Sequence, residues 1–238
     1  MDDKYTVFFD EVKKIILGLG IETRKDVEGC TKNEIIEIES KFGKLPLAYK
    51  AYLKSFGRNF LFSFFDGEQF SYDDYDDISE FVSDTFEREN FEITRPFMPI
   101  SHYRYDYFRF IYLDEIQNEN PKVWIYVPYA QKDEENPQTT GNRFTDIILS
   151  FFRGTLMNHT ASFHWVSPDE KSMNENIVQD RYKDWARKII SVIDYINAVA
   201  NINSSSTENE FVKDIHKTLQ SYFELQEESI KKLAKGES

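Results

Sequence analysis

The residues able to do chemistry in this chain are scattered or overabundant. The four histidines, His102, His159, His164 and His216, have neither HExxH nor Cys/His zinc spacing. The run His102-Tyr103-Arg104-Tyr105-Asp106-Tyr107 interleaves ionisable and aromatic groups. It would serve acid/base catalysis only if His102 and Asp106 converged on a substrate; a Tyr-rich strand tip or loop is the simpler reading, and an interface role ranks second. Ser55, Ser63 and Ser150 lack a GxSxG elbow, and the chain has no GxxxxGK[ST] or GxGxxG. Carboxylate pairs signal glycosidase chemistry only at a fixed separation across a cleft, which spacing alone does not set. A non-catalytic protein is therefore expected, with no cofactor and no metal; an enzyme assembled from distant residues would need a deep pocket of convergent groups.

One block stands out. From Asp66 to Asn90 there are ten carboxylates and one base, Arg88, a net −9, so the other 213 residues carry only −4 of the total −13. Asp73, Asp74, Asp76, Asp77 and Glu80, with Tyr72 and Tyr75 interleaved, are expected to form an acidic and aromatic surface for a basic protein partner. Such a surface can stand in for nucleic-acid phosphates and speed encounter with a basic cleft. The alternatives are a merely solvated helix face or a calcium loop, but DDYDD lacks the Gly at position six and the Glu at position twelve of an EF-hand. A chain this acidic is not expected to bind nucleic acid directly, because phosphate contacts need clustered Lys and Arg.

Several elements must position these residues. Residues 4 to 18 form an amphipathic helix with Tyr5, Phe8, Val12, Ile15 and Ile16 on one face, expected to cover part of the domain that follows. Gly29 to Gly57 reads as two helices joined by a corner. Thr31 and Glu34 make a capping box, Lys41 suits the negative helix end, and Gly43 is expected as a left-handed cap. Pro46 suits the first helical position. Tyr49, Tyr52, Leu53 and Phe56 form the second apolar face, and Gly57 closes that helix. Nothing in this pair carries chemistry; it is a packing device.

Asn59 to Asp66 reads as a strand, with Asp66-Gly67 as a turn and Gln69 to Tyr72 as its hairpin partner. A helix over 73 to 90 points Ile78, Phe81, Val82, Thr85 and Phe86 inward. Phe97–Ser101, Phe108–Asp114 and Pro121–Pro128 read as strands, with a turn at Asn118 to Pro121. Asp133 to Asn142 reads as a polar loop, and Phe144 to Leu156 as a Phe-rich helix. Beyond it, Ala161–Val166 suggests one more strand, and two long helices follow, from about Met173 to Asn201 and from the capping box of Thr207 and Glu210 onward. The composition and periodicity alone support an α+β protein, whose last two helices read as a helical hairpin. That hairpin would dock on its own core or on a second copy, giving a homodimer.

The series Gly29, Thr31, Glu34, Ile35, Glu39, Gly43, Leu45, Pro46, Tyr49 and Leu53 resembles the start of the SUKH superfamily. That group includes the fungal Smi/Knr-type cell-wall regulators and many bacterial immunity proteins. Gly57-Arg58-Asn59 stands where members often carry an Asn-Gly-type turn. The resemblance covers about residues 20 to 155 and stops after about 157, which implies a SUKH-like α+β domain over residues 1–157 and a C-terminal extension, 158–238, made mostly of the helical hairpin. It implies N-terminal helices, a mainly antiparallel sheet and a closing helix. It also implies protein binding: an immunity protein that occludes the basic active site of a polymorphic toxin such as a nuclease, or, alternatively, a regulatory or scaffold module acting through its C-terminal helices.

Cys30 is the single cysteine, so no internal disulfide or cysteine metal site is expected. No apolar run approaches a membrane span, and MDDKYTVFFDEVKK is unlike a secretory signal, so a cytoplasmic protein is expected. On that reading the sequon Asn158-His159-Thr160 is chance.

Overall fold

A computed structural model describes residues 4–19, 27–60, 68–91, 93–115, 118–130 and 136–152, together with Arg187, Ile190 and Lys217. The chain divides into two compact units, one of Arg24–Thr155 and one of Met1–Thr23 with Leu156–Ser238. Helix α1 (Lys4–Leu19) therefore groups with the C-terminal residues. It buries Tyr5, Phe8, Phe9, Val12, Ile15 and Ile16, the apolar face its period dictates. The expected strand at 161–166, the two long helices and any second copy docked on them lie outside the described residues.

The larger unit opens with β1 (Val27–Glu28), then α2 (Lys32–Phe42) and α3 (Leu47–Phe56). The capping box is formed. The Glu34 N–H donates to Thr31 Oγ1 at 3.3 Å and the Thr31 N–H donates to Glu34 Oε2 at 2.7 Å. Gly43 ends α2, but not as the left-handed cap expected: with φ 86° and ψ −163° it occupies a region open essentially to glycine alone. Pro46 caps α3 from just outside, and the helix begins at Leu47, one residue later than expected. Glu39 braces the corner, accepting from Lys50 Nζ at 2.9 Å and from the Leu45 N–H at 3.4 Å.

Two glycines of the motif are there for close approach. A Cβ on Gly29 would lie 1.7 Å from the Lys54 carbonyl oxygen, and one on Gly57 would lie 2.6 Å from Leu53 Cα. The contact between the Gly29 strand end and the last turn of α3 is thus backbone on backbone, closed by the Cys30 N–H donating to Leu53 O at 2.7 Å. With Ala48, Tyr49, Ala51, Tyr52, Leu53 and Phe56 all buried, α3 is the central helix of the unit. Tyr49 and Tyr52 meet Phe144 edge-to-face at 5.3 and 5.6 Å.

A five-stranded antiparallel sheet follows in the order β3 (Glu68–Gln69), β4 (Phe97–Tyr103), β5 (Tyr107–Tyr112), β6 (Lys122–Tyr126), β7 (Gln138–Arg143). Helix α4 (Tyr75–Glu89) intervenes between β3 and β4, and residues 144–152 form α5. Of the hairpin expected between Asn59–Asp66 and Gln69–Tyr72, residues 61–66 lie outside the described residues, and the described ends pair elsewhere. Strand β2 (Asn59–Phe60) pairs with β1, and β3 pairs with β4. The polar loop expected at 133–142 is in part a strand, β7. It lies at the sheet edge with mostly exposed side chains, so it shows no alternation of apolar residues. The turn at 118–121 does join adjacent antiparallel strands, with the Asn120 N–H donating to Asn118 Oδ1 at 3.2 Å.

The sheet has two buried faces. Phe108, Phe110, Tyr112 and Tyr126 pack against Phe81 and Val82 of α4. A register shift between Pro99 and Ser101 lets Phe97 and His102 share that face despite their odd spacing. The opposite face carries Ser101 and its partner Arg109. There Arg109 forms an ion pair with Glu68, whose side chain is 1% exposed, and Ser101 donates to the same carboxylate. Glu68, counted in sequence with the acidic block, is therefore interior.

Candidate protein-binding surface

Helix α4 is held rigidly. Asp74 accepts from the Ser71 N–H at 3.0 Å and from Ser71 Oγ at 2.6 Å, closing the turn before the helix. Asp76 and Asp77 occupy the first turn and Arg88 the last, the arrangement that complements the helix dipole. Asn90 ends the helix in the left-handed conformation, φ 49° and ψ 48°. Ile78, Phe81, Val82 and Thr85 are buried, which turns Asp76, Glu80, Asp84 and Glu87 to solvent.

The expected site residues separate into three groups. Asp73, Asp76 and Glu80 are exposed. Asp74 and Asp77 are engaged within the fold: Asp77 Oδ2 lies 3.0 Å from His102 Nε2, and Asp77 Oδ1 accepts from the Tyr105 hydroxyl at 3.3 Å. The Asp77 charge raises the pKa of that hydroxyl. Tyr75 does not belong to the surface expected of it. It is 7% exposed, packs edge-to-face on Phe42 at 5.7 Å, and its hydroxyl is pushed up to about 12 by burial. Tyr72 is half-buried and donates to Glu37 Oε2 at 2.8 Å; that bond, more than burial, takes its pKa up to about 12.

His102 and Asp106 do not converge. Asp106 lies in the β4–β5 turn, its N–H donating to Tyr103 O at 2.8 Å, while His102 is fully buried and reaches α4. Two residues of that turn, Arg104 and Tyr105, have positive φ of 46° and 62°. Tyr105 is left exposed and stacks on the His102 ring at 4.8 Å.

Between α2 and the start of α4 lies a cavity of about 180 Å³, lined by Glu37, Ile38, Lys41, Tyr72, Asp73, Tyr75 and Asp76. Glu37 was missing from the sequence reading of the site. Its place on the polar side of α2 was legible, but its meeting with Tyr72, 35 residues on, was not. At the far end of α4, Glu89 accepts from the Tyr126 hydroxyl and the Tyr129 N–H, both at 2.7 Å. Among the described residues no group of three His, Cys, Asp or Glu side chains could hold a metal ion. Among them too, no helix is long and apolar enough to cross a membrane.

An antiparallel meander backed by a capped helix pair, with one acidic helix turned outward, defines an α+β domain suited to protein contacts. The chain belongs to the SMI1 / KNR4 family (SUKH-1), whose family model matches residues 29–150. That match spans the capping box, the corner, the sheet and most of α5. No curated protein and no solved structure matched the chain.

Proposed function

We propose that this chain is a non-catalytic, cytoplasmic immunity protein that neutralises a polymorphic toxin, such as a nuclease, by laying its acidic surface over the toxin's basic active site. The observation that carries this reading is the one-sided presentation of Asp73, Asp76, Glu80, Asp84 and Glu87, exposed beside a helix whose other side is locked into an aromatic core. Membership of a family of immunity and regulatory proteins supports it. A rigid row of carboxylates raises the rate of encounter with a basic cleft and loses that advantage as salt rises.

The test uses the full tagged chain as bait in lysate of the native cell, at low salt and again at about 0.5 M, where the screening length falls to a few ångströms. The expected catch is one basic protein with toxic, nuclease-like activity, weakened by salt. Asp73→Asn, Asp76→Asn and Glu80→Gln together should then slow its association about tenfold at low salt and flatten the salt dependence. Asp74 and Asp77 are unsuitable for this purpose, because both hold the fold. An unchanged affinity and salt slope would sink the occlusion mechanism. A catch of acidic or structural proteins would favour a scaffold role instead.

A further inference from the structure

We infer that two exposed tyrosines, Tyr105 and Tyr129, are the anchors that fix a basic protein partner on the outer side of α4. The inference deepens the reading that such a protein docks on this face, and it rests on that reading. Among the described residues these two are the most exposed large hydrophobic side chains, at 57% and 72%. They come from separate loops, Tyr105 from the β4–β5 turn and Tyr129 from the segment after β6. Each is tied to one end of α4. The Tyr105 hydroxyl donates to Asp77, in the first turn. The Tyr129 N–H donates to Glu89, and the guanidinium of Arg88, in the last turn, lies 6.0 Å from the Tyr129 ring centre. Asp77, Glu80, Asp84 and Arg88 follow at helical spacing and so form one stripe. The two rings bracket that stripe, whose ends lie about 16 Å apart at ~1.5 Å per residue.

The backbone does not call for a tyrosine at either place. Both residues hold a positive φ, 62° and 59°, which costs a bulky side chain and suits glycine or asparagine. The rings are nevertheless presented to solvent, and that of Tyr105 is held in one orientation by stacking on His102 at 4.8 Å and meeting Phe81 edge-to-face at 5.2 Å. A ring fixed in this way loses little entropy on binding, which is why tyrosine serves so often as an interface anchor. Charge sets the occupant. Glu80 and Asp84 stand exposed between the rings, so a partner lying across both must meet these carboxylates with cations. An arginine can do so and also lie on a tyrosine face. The two kinds of residue then divide the work: carboxylates speed encounter, and rings slow release.

The experiment places the photo-crosslinking residue p-benzoylphenylalanine in the full chain, in the native cell, at Tyr105, at Tyr129 and at two exposed controls, Lys44 and Lys122. Lys122 lies at the far end of β6 from Tyr129. Irradiation should join both tyrosine positions to one and the same basic protein, through segments rich in Lys and Arg, and should join the controls to none of it. With that protein purified, Tyr105→Asn and Tyr129→Asn should each raise the dissociation rate about tenfold and leave the association rate within about twofold. Asparagine suits the left-handed backbone, so the turns are kept. Tyr105→Phe and Tyr129→Phe, which keep the rings, should stay within about threefold of wild type. Glu80→Gln with Asp84→Asn should act the other way, slowing association at low salt with dissociation nearly unchanged.

No adduct from either tyrosine, adducts with two different proteins, or equal capture from Lys122 would overturn the anchors. A nuclease-like partner whose dissociation ignores both asparagine changes, but whose association falls with Asp73→Asn, Asp76→Asn and Glu80→Gln, would remove the anchors and leave the immunity reading standing. One basic protein held by both rings but lacking toxic activity would keep the anchors and remove that reading.

Discussion

Asp77 and His102, 25 residues apart, meet at 3.0 Å and tie the acidic helix to the sheet. The His102 side chain is fully buried while that of Asp77 is 42% exposed, so the contact spans the boundary between core and surface. Losing the carboxylate strands a buried imidazole nitrogen beside Phe81 and Phe108. Asp77→Ala should therefore cost ~1–3 kcal/mol, the range for a buried polar group deprived of its partner. Asp76→Ala, one position along and exposed, should stay within about 0.5 kcal/mol. Urea unfolding reads both, as a lower midpoint at constant slope for Asp77→Ala alone. Equal midpoints would show that the His102 contact does not hold α4 in place.

The Glu68–Arg109 pair makes a different prediction, because both partners are interior, at 1% and 12% side-chain exposure. Arg109 also lies over the rings of Tyr107 and Phe151, at 5.0 and 5.1 Å. Removing one member leaves an uncompensated charge, so Arg109→Met should cost ~3–5 kcal/mol. Glu68→Leu with Arg109→Met should be less harmful than the sum of the two single changes. Thermal unfolding of the four-member cycle measures the coupling; strict additivity would mean that the pair contributes nothing as a pair.

The capping box has a pH signature. The Thr31 N–H holds the Glu34 carboxylate, and the neighbouring Arg58 adds to it from 3.0 Å, so the folded pKa lies below the ordinary 4.5. A depressed acid contributes stability that is complete above its unfolded value and is lost as pH falls through the folded one. Glu34→Gln should thus lower stability at neutral pH and shrink the difference from wild type below about pH 4. Thr31→Ala should cost about 1 kcal/mol through loss of the hydroxyl acceptor. Urea midpoints at neutral and acidic pH test both, and a gap that stays constant with pH would show that Glu34 acts without its charge.

The helix pair was legible in sequence because its signals are local. Thr31 and Glu34 meet three residues apart, Pro46 restricts its own backbone, and Gly43 is free to take the positive φ that ends α2. Burial of Ile78, Phe81, Val82 and Thr85 followed from helical period alone. Strands β4, β5 and β6 were legible from their apolar content. β7 was not, because an exposed edge strand has no core face to impose alternation.

What only the tertiary structure decided is which of the clustered acids face solvent. In sequence Glu68, Asp74, Asp77 and Asp76 look alike. Glu68 is drawn inside by Arg109, Asp74 is taken by Ser71, Asp77 is held by His102 and Tyr105, and Asp76 is left to solvent. Tyr72 and Tyr75 likewise divide, one bound to Glu37 and the other buried against Phe42. The sequence by itself determined the charge and the helix that carries it. The local Ser71 turn for Asp74, and the long-range pairing of strands and helices for Glu68 and Asp77, determined which charges remain at the surface, because a carboxylate's role is set by the group that chain folding brings within about 3 Å of it.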